Sequence, residues 1–414
     1  MKGIIKRTAI CMFFLSMILT IPMICYAKGE IRIGDLTDFT GPQAVAYPKA
    51  TQAFNDYARY LNEEFGGIEG HAIKIISIDA RYDVALHVSG YHKLVSVNKV
   101  HAINVDASSG SAALKPLADK DKVVVMVSPE LLALLPAKDS YTFSAITSYP
   151  TKALTIMAWI KDTWKKPTLP RIGVNLVDAA PGWSSLKAIE YLAKKYGLNI
   201  AIKTTVPPGG KDTSAQVLSL KAANLDYVIT IQGGGIIAFT KDSRRLGLFP
   251  NVPIIDNVGV LTVEVVAKAL GEAAVGMLTS SPFAFWHEAD VPGIKLMREV
   301  NRKWHPKVEV RGYMYSYGWN QAVVLFEGIK RAIKKVGYNN LNGKAIKQAL
   351  ETLKDFETNL LSYPITFSQE DHRGPQACRL LKHIGPGYKF EVVSDWVKAP
   401  SWPKDWWDVN MWKK

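Results

Sequence analysis

From residue 28 onward the sequence alternates between short runs of β-branched residues and longer amphipathic stretches, and no other feature limits its fold so tightly. The runs are Ile31–Leu36, Ile73–Asp79, Ala102–Val105, Val123–Ser128, Ile172–Val177, Ile200–Val206, Tyr227–Ile231 and Pro253–Asp256. Between them lie helical patterns at Gln52–Phe65, Ala85–Val97, Thr151–Trp164, Ser184–Tyr196, Thr213–Ala223, Ile236–Leu246, Val263–Leu270 and Gly293–Trp304. Strands buried on both faces read as continuous apolar runs, and regular β–α alternation implies parallel sheets covered by helices. A single core stops growing at roughly 250–300 residues, so 414 residues predict two such units. A longer helical pattern, Tyr317–Val336, stops at Gly337, a residue suited to the left-handed turn after a helix.

The first 27 residues follow a different rule. Lys2, Lys6 and Arg7 precede an uncharged apolar run of 17 residues, Thr8 to Ile24, and Cys25-Tyr26-Ala27 ends it with small residues at alternate positions. This is the pattern of a secretory signal peptide, with cleavage after Ala27. An uncleaved anchor would need about 20 apolar residues, and lipid attachment at Cys25 lacks the small residue expected just before it. Removal takes away three basic residues and lowers the formal net charge from +14 to +11. It leaves Cys378 as the sole cysteine, so neither an internal disulfide nor a cysteine-based metal site is expected. An exported chain without disulfides points to a periplasmic protein with a large core.

Several chemical motifs fail on context. Ser184-Ser185-Leu186-Lys187 matches S-x-x-K, but the partner motifs S-D-N and K-T-G do not occur. Gly233-Gly234-Gly235 sits between a strand and a helix, as a phosphate loop would, but it fits no phosphate-loop signature. It reads instead as a crevice-edge loop where backbone approaches something closely, with Gly234 at its centre. The eight histidines show no metal-ligand spacing, and no catalytic triad signature is present, so no enzyme activity, cofactor or metal is expected. Basic residues are spread without the basic-aromatic clustering of a nucleic-acid surface, so no nucleic-acid partner is expected. Trp396, Trp402, Trp406, Trp407 and Trp412 crowd the C-terminus between prolines and read as a packing extension.

One loop favours a small anion. In Val105-Asp106-Ala107-Ser108-Ser109-Gly110-Ser111 a strand ends and a short helix starts, running to Pro116. Helix N-termini offer unpaired N–H groups and a partial positive charge, and serine hydroxyls add donors. Simple capping by Ser108 or Ser109 explains the same residues equally well.

At this point the chain resembles the periplasmic substrate-binding proteins of ABC importers, of the branched-chain amino-acid (leucine/isoleucine/valine) type. The resemblance runs through Ile31-Arg32-Ile33-Gly34, Thr40-Gly41-Pro42, Asn62, Gly66-Gly67-Ile68-Glu69-Gly70, the Ser108-Ser109 loop and Met126-Val127-Ser128-Pro129. It continues through Arg171-Ile172-Gly173-Val174, Leu225-Asp226-Tyr227-Val228, Arg245-Leu246-Gly247-Leu248 and Ala273–Leu278, in order over the mature chain. It implies a type I periplasmic-binding fold: two Rossmann-like α/β lobes with parallel sheets, joined by three hinge crossings near Ser144–Pro150, Leu278–Pro282 and Leu361–Phe367. The lobes are expected as residues 28–147 with 281–363, and 148–280 with 364–414. The function implied is capture of a small organic acid or amino-acid-like ligand between the lobes and delivery to the membrane permease of an ABC transporter. A sensory receptor subunit of the same fold is the alternative.

The resemblance places the carboxylate-binding serine at Ser109 or Ser108, with Ser109 preferred. Other site positions depart from the amino-acid-binding pattern. Glu130, followed by Leu131 and Leu132, stands where the family has a threonine after Ser-Pro, Pro181 where it has a tyrosine, and Asp256 is an offset match for the acid that pairs a ligand ammonium. Phe39, Tyr47, Tyr82, Tyr149 and Trp183 lie at strand ends or loops; each alone reads as packing, but as a set they point to an apolar or aromatic ligand body. Free leucine is therefore expected to bind poorly.

Overall fold

The computed structural model describes residues 29–128 and 139–401. Its first sheet contains β1 (Ile31–Thr37), β2 (Ile73–Asp79), β3 (Ala102–Val105), β4 (Val124–Met126) and β5 (Thr142–Phe143), all parallel, in the order β2-β1-β3-β4-β5. Helices α1 (Tyr47–Phe65), α2 (Val84–His92) and α3 (Ser108–Asp121) connect them. After α4 (Tyr149–Thr163), the second sheet is built from β6 (Arg171–Val177), β7 (Asn199–Val206), β8 (Tyr227–Ile231), β9 (Ile254–Asp256) and β10 (Leu278–Ser281). These alternate with α5 (Ala180–Tyr196), α6 (Ser214–Ala222), α7 (Ile236–Arg245) and α8 (Glu264–Leu270). The chain then returns to the first lobe through α9 (Pro292–Trp304), α10 (Tyr313–Val336) and α11 (Gly343–Leu350). It ends in the second sheet with β11 (Ala377–Gly385), β12 (Lys389–Val392) and β13 (Val397–Lys398).

The apolar runs become strands because both sheet faces are covered: Ile31, Ile33 and Leu36 of β1 and Ile172, Val174 and Leu176 of β6 are wholly buried. One core gathers around the first sheet with the second half of α10 and α11, and two more flank the second sheet. A fourth cluster joins the lobes, packing Ala50 and Ala53 of α1 with Val263, Phe283, Trp286 and the start of α10. Gly318 lets α10 lie directly on α1, because a Cβ there would run into the Ala50 carbonyl.

Three passages link the lobes: after β5, after β10 and before β11. An isolated bridge pairs Phe283 with Ser362, and Thr147 Oγ1 donates to the Pro375 carbonyl at 2.8 Å.

The structure differs from the sequence reading in several elements. Leu278–Ser281 is a strand of the second sheet rather than a crossing, so that passage starts only after Ser281. Phe367 packs its ring against Phe143 at 5.3 Å in the first core, so the last passage runs through residues 368–376. The second sheet is not purely parallel, since β11 runs antiparallel to β10, β12 and β13. Helix α3 continues through Pro116 to Asp121, burying Leu114 before the proline and Ala118 beyond it. Of the tryptophan-rich end, Trp396 packs on Tyr363 and under the Arg379 guanidinium; Trp402, Trp406, Trp407 and Trp412 lie outside the described residues, as does the 1–27 leader.

Candidate functional site

In a doubly wound sheet the crevice opens beyond the carboxyl ends of the strands, where neighbouring connections diverge to opposite faces. Here those points are β1/β3 in the first sheet and β6/β8 in the second, and a cavity of about 420 Å³ lies between them. The first lobe contributes Gln43, Val45 to Tyr47, Tyr82, Asp106, Ser108 and Ser128. The second contributes Tyr149, Val177, Ala179 and Pro181, the Ile231–Gly235 loop and a wall of five valines, Val258, Val260, Val263, Val265 and Val266. Tyr313, Met314 and Tyr317 close it from the start of α10. A volume of this size suits one small organic molecule.

The first-lobe wall rests on a buried polar network. Asn104 Nδ2 donates to Asp35 Oδ1 at 2.9 Å and to Asp106 Oδ1 at 3.3 Å, and Thr37 Oγ1 donates to Asp106 Oδ2 at 2.9 Å. Thr51 and Ser77 donate to the other oxygen of Asp35. Burial pushes the Asp35 carboxyl above its usual range despite these donors. Asp106 is the one charged side chain among the described lining residues.

The opposite wall is apolar and backbone-rich. A Cβ added at Gly233 or Gly234 would meet nothing within 4 Å, so the loop leaves open space on the cavity. Gln232, also on the lining, donates to Asn175 Oδ1 at 2.9 Å. Behind Tyr149 and Tyr313 lies Lys152, wholly buried, with Nζ donating to the Val258 carbonyl at 2.7 Å and to the Tyr313 hydroxyl at 3.2 Å. Among the described residues no group of His, Cys, Asp or Glu is gathered tightly enough to hold a metal ion.

Of the positions picked from sequence, Tyr47, Tyr82, Ser108, Tyr149 and Gly234 meet on this cavity. The rings of Tyr47 and Tyr82 stand 6.0 Å apart. Ser109, the preferred serine, lies in the first turn of α3 outside the lining, and Ala107 holds the cap position. Phe39 is 39% exposed in the loop after β1, where its N–H donates to Asp79. Trp183 packs at the second core, and its Nε1 donates to Asp178 at 2.8 Å. Asp256 lies beneath the wall with no exposure; its oxygens accept from the backbone N–H groups of Val258 and Leu261 and from Thr279 Oγ1. Burial nonetheless pushes its carboxyl upward. Glu130 falls outside the described residues.

The sequence reading missed Asp106, Gln232, Tyr313, Tyr317 and Lys152. Tyr313 and Tyr317 are one helical turn apart, a spacing that also fits plain core packing. Lys152 offered a better signal, a lone cation at the head of an uncharged stretch running to Ile160.

A model of the family described as periplasmic binding protein matches residues 30–385. The chain is 23% identical over 359 residues to a Leu/Ile/Val-binding protein homologue of Brucella melitensis, covering 83% of this chain and 87% of the relative. Among solved structures it is similar to a branched-chain amino-acid ABC transporter protein of Thermus thermophilus with bound valine. That match has a TM-score of 0.75 and 21% identity, and covers 90% of this chain and 97% of the other. It is also similar in shape to an ABC transporter solute-binding protein of Rhodopseudomonas palustris in complex with 3,4-dihydroxybenzoic acid. There the TM-score is 0.72 and the identity 20%, covering 90% of this chain and 99% of the other.

Proposed function

The chain belongs to the periplasmic binding protein family, and on that premise we propose that it captures a small organic acid with an apolar or aromatic body and passes it to an ABC importer. The observation that carries this reading is the composition of the inter-lobe cavity: tyrosines and valines around a few hydroxyl and amide groups and one carboxyl, that of Asp106. The acid that would pair an α-ammonium in the amino-acid-binding pattern, Asp256, is spent on two backbone N–H groups and a threonine. The working site is Tyr47, Tyr82, Ser108, Tyr149 and Gly234, to which Tyr313 and Tyr317 are added. The lobes expected from sequence, 28–147 with 281–363 and 148–280 with 364–414, take revised breaks after Ser281 and after Phe367, and the two would close on the ligand as a clamp. Capture and release require no bond making, so the protein works as a binding module rather than an enzyme.

Membership of a periplasmic family makes the chain an exported protein. Cleavage after Ala27 would give a mature chain starting at Lys28, and N-terminal sequencing of periplasmic extract tests it. For the ligand, the test is a thermal-shift screen followed by calorimetry with 4-hydroxybenzoate, 3,4-dihydroxybenzoate, L-valine and L-leucine. A ligand at 100 times its dissociation constant stabilises the fold by about 2.7 kcal/mol, a readable shift. Binding of the aromatic acids over the amino acids is the expected result. Submicromolar affinity for leucine with none for the acids would overturn the reading.

A further inference from the structure

Among the described residues the two faces of the cavity differ in charge: one carries a carboxyl on its lining and the other has an ammonium behind its lining. On the first-lobe face Asp106 lines the space beside Ser108, and Asp35 lies behind it, joined through the Asn104 amide. An anion drawn to the start of α3 therefore meets a carboxyl already at that helix end. On the hinge face the charge is positive and one side chain deep. Lys152 is fully buried, with Nζ 5.2 Å from the ring centre of Tyr149 and 4.9 Å from that of Tyr313. Both tyrosines and Val258, whose carbonyl accepts from Nζ, line the cavity.

A buried ammonium is tolerated only when hydrogen-bonded and balanced. Here the Val258 carbonyl and the Tyr313 hydroxyl oxygen accept from it, two aromatic faces flank it, and Asp256 lies within Coulombic reach. A phenol whose oxygen accepts from an ammonium is polarised into a stronger donor, and its own hydrogen must point away from Nζ. The hinge face thus offers a positively backed donor where the serine loop offers a hydroxyl beside a carboxyl.

We propose that the bound acid lays its carboxylate against Tyr313 on the hinge face rather than against the serine loop, with Lys152 as the positioning residue that makes that phenol the donor. The apolar body then lies along the valine wall, and its far end reaches Ser108. This orientation rests on the organic-acid reading of the site and adds to it which wall receives the charge.

The test compares 4-hydroxybenzoate with its neutral amide, 4-hydroxybenzamide, by calorimetry on the mature protein. The wild type should favour the acid by about tenfold or more, the worth of one hydrogen bond to a charged group. Lys152→Met and Tyr313→Phe should each cut that ratio by about tenfold, Lys152→Arg should restore part of it, and Ser108→Ala should weaken both compounds alike. A merely structural lysine would lower the melting temperature and both affinities while leaving the ratio intact. Should Lys152→Met fail to fold, Tyr313→Phe decides by itself. A ratio lost in Ser108→Ala and kept in Tyr313→Phe would overturn the orientation while the organic-acid reading stands. Binding of neither compound by the wild type would overturn both.

Discussion

Asp106 and Asp256 each stand at the carboxyl end of a parallel strand, one in each lobe, and they do different work. Asp106 lines the cavity and takes hydrogen bonds from the side chains of Thr37 and Asn104. Asp256 turns inward, and the chain folds over it so that the N–H groups of Val258 and Leu261 close on its oxygens. Whether a strand-end acid faces a ligand is thus decided by what the next few residues do with their backbone donors. The loop after β9 is held from inside by its own acid, which frees its valines to form an apolar wall. The loop after β3 leaves its acid at the surface of the cavity.

The sharpest way to break this contrast is Asp256→Ala. It orphans two buried N–H groups and a threonine hydroxyl, each costing about 1–3 kcal/mol when unsatisfied, so the apo protein should lose about 3 kcal/mol or more. Denaturant unfolding measures this. A variant of unchanged stability that has lost its ligand would instead make Asp256 a contact residue.

Gly318→Ala probes the packing of α10 on α1 within the first lobe, next to the cluster that joins the lobes. The added methyl meets the Ala50 carbonyl of α1, and the helices must separate at the joint cluster. Overpacking of this kind costs about 1–3 kcal/mol. A melting temperature equal to that of the wild type would show that α10 yields without strain.

The two serines sharpen the comparison on the first wall. Ser108→Ala should weaken 4-hydroxybenzoate severalfold, about the 0.5–1.5 kcal/mol of a typical hydrogen bond. Ser109→Ala should shift it less than about twofold, because that residue lies off the lining and a surface change of this kind is usually within about 0.5 kcal/mol. Reversal of that order would return Ser109 to the site.

Acidification should act on both lobes in the same direction. Burial lowers His87 and His101 beside the first sheet, His372 next to Phe143, and His383 in β11, each below its ordinary 6.5. A histidine held neutral in the fold binds fewer protons than in the unfolded chain. Its contribution is therefore present above about pH 6.5 and is lost as pH falls through the lowered folded value. The melting temperature should decline from neutral pH toward roughly pH 5. His372→Gln should flatten part of that slope; an identical slope in the variant would remove His372 as a contributor.

Much of the fold was legible in the sequence because parallel strands buried on both faces leave unbroken apolar runs. Ile73–Asp79, Ala102–Val105 and Tyr227–Ile231 coincide with observed strands to the residue. β11 escaped that logic: in Ala377–Gly385 the buried residues are interrupted by Arg379 and Lys382, at the antiparallel side of the sheet. Leu278–Ser281 escaped it too, since three of its residues are hydroxyl-bearing and are buried only because β9 and β11 flank it.

The site divides along the same line. The sequence by itself determined which residue types lie at the strand ends, and it brought Tyr47, Tyr82, Ser108, Tyr149 and Gly234 into view through local punctuation. The tertiary structure decided which of two adjacent serines faces the cavity, because neighbouring residues on a helix point about 100° apart and only docking fixes which points inward. It alone decided that Asp256 is a support, and that Lys152 and Tyr313, 161 positions apart, meet behind one wall. The physical reason is range: burial and local turns are written in nearest neighbours, whereas a buried charge acquires its role only from partners that the fold delivers from elsewhere in the chain.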